Sequence, residues 1–289
     1  MSVPPPHDAL FVPDGTDLVP TEYSRGPWTP DALHGGPVAA LAARAVESIP
    51  TDEPMHVARL TVELLRPVPL APLSVSSSVV RPGRKVQLVE ARISSGGRDV
   101  AWGRALRVRL QPDGAEPSSG SSGTGFAGTG SSGTFRGSGP VPGIDPGAPP
   151  GPDAGYRSPA PIGDYRAFHN TGAELLYVAG HFAKRGPATV WVRLAVPVVP
   201  GEEPSPLQRA AAASDFGNGV SSELDFARYI FINPDLTVYL DRPVLGEWVC
   251  LDASTTIGIP GVGLAESRLW DVHGPIGRSL QSLLVEPRA

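Results

Sequence analysis

The stretch LTVELLRPV at residues 60 to 68 returns at residues 236 to 244 as LTVYLDRPV, with seven of nine letters unchanged. A second pair lies at the same offset of 176 residues, because LVEARI at 88 to 93 corresponds to LAESRL at 264 to 269. All four segments are rich in aliphatic and β-branched residues, which is typical of β-strands. Two echoes at one offset indicate a strand-rich unit that was duplicated and fused.

Length and charge are compatible with two folded halves. The chain has 289 residues, enough for two domains that each bury a core. Its 24 basic and 29 acidic side chains give a net charge of −5, with no basic run, so nucleic acid is not an expected partner. The N-terminus has no signal-peptide pattern, and no apolar run approaches the roughly 20 residues that cross a bilayer. We therefore expect a soluble, cytoplasmic protein without a membrane partner.

A segment rich in Gly, Ser and Pro separates the halves and has too little apolar surface to offset the entropy of ordering. We predict an N-terminal unit over residues 1–111, a linker over 112–156 and a C-terminal unit over 157–289. No G-x-S-x-G motif occurs in the chain, which disfavours a hydrolase with a nucleophile elbow. The single cysteine, Cys250, lies in an apolar strand pattern and is predicted to be a core residue.

Each half contains one helix pattern followed by four strand patterns. HGGPVAALAARAVESI at 34–49 has apolar residues at helical spacing, and SPLQRAAAASD at 205–215 is the second helix. The strand patterns lie at 56–69, 73–80, 85–94 and 98–110, and again at 234–244, 247–257, 263–272 and 276–286. This order predicts an α+β protein in which an antiparallel sheet wraps one helix in each half and the two sheets join at their edges.

The early HGGPVAALAARAVE, the later ASDFGNGVS and the final SLQSLLVE, in this order and at duplicated spacing, resemble the acyl-CoA thioesterase II family of double-hotdog enzymes. The resemblance implies a double hotdog, in which two tandem hotdog units each have a long helix wrapped by an antiparallel sheet. It implies a thioester hydrolase that acts on acyl-CoA and needs neither a cofactor nor a metal. A homo-oligomer joined through the hotdog sheets is compatible with it.

Thioester hydrolysis requires a group that activates water. Alignment of the two helices pairs Asp215 with Ala43, so the carboxylate is found in the second half alone. The family has its active-site aspartate at this ASD, and the resemblance therefore assigns catalysis to Asp215, with Gln281 on the last strand helping to hold the water. The family threonine position falls on Asn233, which is a departure, although an amide can also hold water. Thr237 is the nearest hydroxyl.

The helix start HGG is the candidate substrate-binding element. Gly35 and Gly36, which follow His34, allow a carbonyl to approach unpaired backbone amides at the positive end of the helix dipole. Such amides can stabilise the oxyanion of the reaction. A tight turn that needs two glycines is the alternative interpretation. Because the second helix has an acid but no paired glycines, we expect one composite site per chain.

Other functions remain open at this level. A non-catalytic protein that binds acyl-CoA or an acyl carrier protein is the main alternative, because Asn233 departs from the family pattern. A dehydratase would use a paired His and Asp, but no histidine begins H-x-x-x-G-x-x-x-x-P. A purely structural dimerisation protein is a further alternative. Arg84 and Lys85 could meet coenzyme A phosphates or simply form a solvated turn. The acyl group and the thioester carrier are not specified.

Overall fold

The computed structural model describes residues 8–111, 147–158 and 165–288. Within these ranges, thirteen strands form one antiparallel sheet, and the helices pack against one face of it. The first half contains β1 (Phe11–Asp14), β2 (Asp17–Pro20), α1 (Gly35–Glu47), β3 (Met55–Leu64), β4 (Leu73–Arg81), β5 (Val86–Ser95) and β6 (Arg98–Arg109).

The second half contains seven strands in its described residues, three more than the four that correspond to strands of the first half, and a divided helix. Its elements are β7 (Ala173–His181), β8 (Lys184–Leu194), α2 (Pro206–Ser214), α3 (Gly217–Val220), β9 (Tyr229–Ile232), β10 (Asp235–Leu240), β11 (Val249–Ile257), β12 (Val262–Asp271) and β13 (Gly274–Pro287).

The sheet order reflects the duplication. The strands follow the order β1-β2-β4-β5-β6-β3-β10-β13-β12-β11-β8-β7, and β9 pairs with β13. Counted outward from the central pair, the first half has β3, β6, β5 and β4, and the second half has β10, β13, β12 and β11 in the equivalent places. The two halves therefore arrange equivalent strands in the same sequence on either side of the centre.

The two echo strands are neighbours at this centre. Thr61 of β3 lies opposite Thr237 of β10, and the two hydroxyl oxygens are 3.2 Å apart. These residues are also separated by the repeat offset of 176 positions. The pair thus marks the point about which the halves are related, and it confirms that the sheets join through their duplicated edges.

Small side chains allow the two helices to lie together against the sheet. Residues 38 to 43 of α1 are all buried, because α1 contacts both α2 and the strands β3 to β6. A Cβ on Gly103 of β6 would lie 2.9 Å from the Ala42 Cβ, so a glycine here lets the helix approach the strand. The helices have 13 and 9 residues, and are shorter than the long helix expected in each unit.

The structure confirms the eight predicted strands and both predicted helices, with ends displaced by a few residues. The RPV segments lie after β3 and β10 rather than within them. Sequence analysis missed β1, β2, β7, β8 and β9, which lie outside the echoed segments. None of the helices in the described ranges is long and apolar enough to span a bilayer.

The predicted linker is only partly described. Residues 112–146 lie outside the described ranges, and residues 147–156 include a 3-10 turn at Pro152–Ala154. This described part packs on the sheet, since the Trp191 indole N–H donates to the Pro150 carbonyl at 2.7 Å. The domain boundaries stay a prediction.

Cys250 is fully buried beside Trp191 and Trp270, and burial raises the pKa of its thiol.

Candidate active site

The start of α1 meets the end of α2. His34 is the N-cap residue of α1, and Asp215 is the C-cap residue of α2. A Cβ built on Gly35 would lie 2.6 Å and 2.7 Å from the two carboxylate oxygens of Asp215, and one on Gly36 would lie 2.7 Å from the Ala212 carbonyl oxygen. Both glycines are therefore required for this close approach of the two helices.

The Asp215 carboxylate is buried, and polar side chains hold both of its oxygens. The residue is 5% exposed. Asn233, just before β10, donates from Nδ2 to Oδ1 at 2.8 Å, and Nδ1 of His34 lies 2.7 Å from Oδ2. A buried carboxylate needs such partners, because desolvation without them is costly. The arrangement fixes the orientation of the acid.

His34 Nδ1 has two neighbours that compete for it. The Gly36 N–H points at Nδ1 from 3.1 Å, and the Asp215 oxygen lies 2.7 Å from the same atom. A ring nitrogen either carries a proton or offers one lone pair, so it cannot serve both at once. The shorter contact has the length of an N–H···O⁻ hydrogen bond. With the proton on Nδ1, the Gly36 N–H is left available to another acceptor.

Aromatic rings flank His34. The Phe168 ring centroid is 5.1 Å from that of His34, and the Phe216 centroid is 4.8 Å away. Phe168 and Phe216 also stack on each other at 5.2 Å. This packing restricts the imidazole and excludes water from one side of the His34–Asp215 pair.

Gln281 lies behind Asp215, on the side away from solvent. It is 2% exposed, and its Nε2 is 3.4 Å from both the Asp215 carbonyl oxygen and Oδ1. Its Oε1 accepts the backbone N–H of Asn218 at 3.1 Å, and Gly217 leaves room for it, since a Cβ there would be 2.7 Å from Oε1. Gln281 therefore does not face solvent.

A cavity of about 730 Å³ leads to this carboxylate. His34, Gly35, Asp215 and Asn233 line it, whereas Gly36 and Gln281 do not. Much of its remaining wall is apolar and aromatic, with contributions from Trp28, Val38, Val68, Tyr177, Phe182 and Phe226. Burial raises the pKa of the Tyr177 hydroxyl, which therefore stays protonated. The cavity is suited to an apolar group whose polar end reaches Asp215.

The structure brings five of the six predicted site residues into one group connected by side-chain and backbone contacts: His34, Gly36, Asp215, Asn233 and Gln281. Gly35, the sixth, packs on the carboxylate itself. Thr237 is not part of the group, because it pairs with Thr61 at the centre of the sheet.

Arg84 and Lys85 are exposed in the turn between β4 and β5 and do not line the cavity. The contributions of Phe216 and Asn218 were not predicted from the sequence, although both residues lie in the DFGNG stretch that follows Ser214. Phe168 was not predicted either, because it belongs to one turn of π-helix before β7 and to no recognisable motif. Within the described ranges, no group of three His, Cys, Asp or Glu side chains is placed to hold a metal ion.

Comparison with solved structures shows that the fold is shared with hotdog proteins. A protein from Thermobifida fusca assigned as a thioesterase II superposes with a TM-score of 0.68 and 18% identity over 96% of each chain. A hot dog fold protein from Alicyclobacillus acidocaldarius gives 0.66 and 18%, over 98% of this chain and 97% of the other. The acyl-CoA thioesterase II TesB2 of Mycobacterium marinum gives 0.58 and 14%, over 89% and 91%.

Comparison with family models covers both halves. No curated protein matches the sequence significantly. The model of the acyl-CoA thioesterase N-terminal domain matches residues 24–108, and that of the acyl-CoA thioesterase C-terminal domain matches residues 145–285. Together the two models span more than three quarters of the sequence, including the HGG start and all three predicted catalytic residues. The chain therefore belongs to the acyl-CoA thioesterase family and is a thioester hydrolase.

Proposed function

We propose that the protein hydrolyses acyl-CoA at one composite site, with Asp215 as the general base. The observation that carries this proposal is the buried Asp215 carboxylate, held by His34 and Asn233, at the wall of a largely apolar cavity. A carboxylate with fixed orientation next to a substrate cavity is suited to proton transfer. The acyl chain would occupy the apolar part of the cavity.

In the proposed reaction, a water molecule lies between Asp215 and the thioester. Asp215 accepts a proton while the water oxygen attacks the carbonyl carbon. The oxyanion accepts hydrogen bonds from the Gly35 and Gly36 amides at the positive end of the α1 dipole. When the carbonyl forms again, the C–S bond breaks and Asp215 returns the proton to the thiolate of coenzyme A. The products are a carboxylic acid and free coenzyme A.

Three observations support these roles. The Gly35 N–H has no acceptor among the described residues, and the Gly36 N–H loses its acceptor when His34 Nδ1 carries a proton. Asn233 lines the cavity and uses its amide N–H groups on Asp215 Oδ1 and the Asp235 carbonyl, so its own Oδ1 can accept from water. Gln281 is buried behind Asp215 and contacts its carbonyl oxygen and Oδ1, and we propose that it positions Asp215 instead of contacting water.

The test is thiol release from a panel of acyl-CoA esters that differ in chain length, branching and aromaticity. The wild-type protein should hydrolyse at least one of them, and Asp215→Ala should reduce that rate at least about a hundredfold while unfolding at a similar temperature. A folded Asp215→Ala protein with the wild-type rate would exclude Asp215 as the base. Binding of acyl-CoA without release of thiol would favour the non-catalytic alternative.

The His34–Asp215 contact also favours one second candidate, since hotdog dehydratases and hydratases use a paired His and Asp. We therefore include a 2-enoyl-CoA in the panel and measure loss of its double bond separately from thiol release. Hydration that exceeds thiol release would favour this lyase over the hydrolase. The family assignment favours the hydrolase.

We further propose that each half is a complete hotdog unit, that the enzyme acts in the cytoplasm and that copies associate through their sheets. The mirrored strand order about the β3–β10 pair supports the first statement. Light scattering at several protein concentrations would test association, since a chain that stays monomeric at all of them would contradict it.

A further inference from the structure

Three arginines line the active-site cavity where its wall is exposed to solvent, which we call the mouth, and the proposed chemistry does not use them. Arg66 follows β3, Arg157 precedes β7 and Arg288 lies at the C-terminal end, and all three line the cavity and are exposed. They come from three separate parts of the sequence. No local sequence pattern predicts that they line one cavity, because the fold alone brings these segments to it.

Two of the three arginines keep their charge available. Arg157 forms an ion pair with Glu174, and Glu174 also binds Arg193 at 2.8 Å. In contrast, neither Arg66 nor Arg288 has a carboxylate partner among the described residues. Since exposed arginines without a partner attract anions, Arg66 and Arg288 form the positive part of the mouth.

Arg288 is held in position although it is near the end of the chain. Its backbone N–H donates to the Arg228 carbonyl at 2.8 Å, and its Nε donates to the Phe226 carbonyl at 2.7 Å. Its guanidinium carbon lies 5.6 Å from the centroid of the Trp28 ring. The terminal amino groups of this guanidinium remain free to bind a ligand at the mouth.

The net charge of the protein is the reason why positive side chains at the mouth matter for binding. The protein has a net charge of −5, and coenzyme A is itself strongly negative because of its diphosphate and 3′-phosphate. Long-range electrostatics would therefore oppose binding unless positive charge is concentrated at the mouth. Arg84 and Lys85, which the sequence suggested for this purpose, lie outside the cavity.

We propose that Arg66 and Arg288 bind the nucleotide phosphates of coenzyme A, so that the pantetheine arm extends from them through the cavity to Asp215. The inference rests on the proposed hydrolysis of acyl-CoA at this site and specifies the carrier that the enzyme accepts. It distinguishes coenzyme A, with its nucleotide, from a carrier protein that presents the same arm on a single phosphodiester.

The test compares acyl-CoA with the acyl-pantetheine that lacks the nucleotide. Arg66→Ala and Arg288→Ala should each raise KM for acyl-CoA about tenfold with little change in kcat, because each removes charge-assisted hydrogen bonds to phosphate. Neither substitution should alter KM for acyl-pantetheine. Added salt should raise KM for acyl-CoA alone, because the mouth is exposed to solvent. Arg84→Ala is the matched control and should behave as wild type.

Several outcomes would overturn the inference. Equal losses with acyl-CoA and acyl-pantetheine would mean that the arginines support the cavity and not the nucleotide. An unchanged KM for acyl-CoA in both variants would exclude them from binding. An acyl carrier protein substrate that is used as well as acyl-CoA, and that is weakened by the same substitutions, would assign the arginines to the carrier phosphodiester.

A direct measurement separates this inference from the proposed hydrolysis. Calorimetric titration with free coenzyme A should show weaker binding to the Arg66→Ala and Arg288→Ala variants, and wild-type binding to Arg84→Ala. That pattern supports the phosphate site even if the protein hydrolyses no tested ester. Equal affinities in all four proteins would reject it even if hydrolysis is confirmed.

Discussion

The two ends of the antiparallel α1–α2 pair have the same arrangement of an N-cap residue and an acid, but they differ in chemistry. At one end, His34 caps α1 and its side chain lies 2.7 Å from the Asp215 carboxylate at the end of α2. At the other end, Ser205 caps α2 and its hydroxyl donates at 2.6 Å to the carboxylate of Glu47, the last residue of α1. In both places, the N-cap residue of one antiparallel helix binds an acid at the end of the other.

The surroundings of the two acids differ in size and charge. The Asp215 end opens into the cavity of about 730 Å³, whereas the Glu47 end borders one of about 260 Å³. Arg107 lines the smaller cavity and donates to the carbonyls of Val46 and Ile49, which satisfies the end of α1. The positive charge of Arg107 also acts on Glu47.

The helix starts and the equivalent strand positions differ as well. Where α1 begins with two glycines, α2 begins with Pro206, which has no N–H to offer an oxyanion. At the repeat offset of 176, Asn233 corresponds to Val57 and Gln281 to Ala105. The duplication therefore supplies two similar helix ends, and a few positions differ between them in a way that fits the catalytic role proposed for the Asp215 end.

The largest expected effect comes from removing one carboxylate at each end. Asp215→Asn should lower kcat/KM for acyl-CoA at least about a hundredfold, because it removes the base while preserving the volume of the side chain. Glu47→Gln should stay within about twofold of wild type. Thiol release measures both. Similar losses in the two variants would remove the functional distinction between the ends.

A smaller effect is expected at the glycine that faces Asp215. Gly35→Ala would place a Cβ 2.6 to 2.8 Å from the carboxylate atoms, so Asp215 or the start of α1 must shift. We expect a roughly tenfold to hundredfold loss of kcat/KM, since small displacements of catalytic groups are costly, and destabilisation of about 1–3 kcal/mol. Steady-state kinetics and urea unfolding measure the two effects.

The matched control for this substitution is Gly258→Ala. No atom lies within 4 Å of a Cβ at Gly258, and its backbone does not adopt a positive φ. It should change neither activity nor stability appreciably. A Gly35→Ala protein as active as this control would contradict the requirement for close approach at the catalytic end.

The departure from the family threonine gives a third test. Asn233→Ala removes the 2.8 Å hydrogen bond to Asp215, and we expect about a tenfold lower kcat. Asn233→Thr should recover part of the loss, because a hydroxyl can donate to Asp215 and accept from water. Steady-state kinetics of the wild-type, Asn233→Ala and Asn233→Thr proteins measure these differences in kcat. A threonine variant as slow as the alanine variant would show that the amide geometry is required.

The strands that could be predicted from the sequence were those in or near the segments that occur twice. The strands β3, β5, β10 and β12 carry the echoes, and their neighbours follow them closely, so their hydrophobic alternation was recognisable. The edge strands β1, β2, β7 and β8 have no echo to support them. Pro and Gly residues around these strands also weakened their patterns.

Asp215 and the HGG start could be proposed as site residues from local sequence alone, and their catalytic roles stay predictions. The contact between His34 and Asp215 could not be predicted in this way, because it depends on the distance between two helix ends that are 181 residues apart in sequence. The same limit applies to the arginines at the mouth. Arg288 reaches the cavity only through pairing of β13 with β9 and its bonds to residues 226 and 228.

The smallest expected effect concerns the acid at the other end. Burial raises the pKa of Glu47 above its usual 4.5, and the hydrogen bonds from Ser205 and Gln208 and the charge of Arg107 offset this only in part. At a pH between 4.5 and the raised native pKa, the native protein therefore binds more protons at Glu47 than the unfolded chain does. As the pH rises from 4.5 to the native pKa of Glu47, the free energy of unfolding must fall, and above that pKa the penalty stays constant.

Glu47→Gln should remove this contribution, because the amide does not titrate and its oxygen can still accept from Ser205. Relative to wild type, the variant should gain stability as the pH rises above 4.5, by a small amount because the side chain is partly exposed. Urea unfolding of both proteins across this range measures the difference. A wild-type minus variant difference that stays constant with pH would show that Glu47 is no more buried than an ordinary surface acid. In that case the two ends of the helix pair would share their geometry without sharing a desolvated carboxylate.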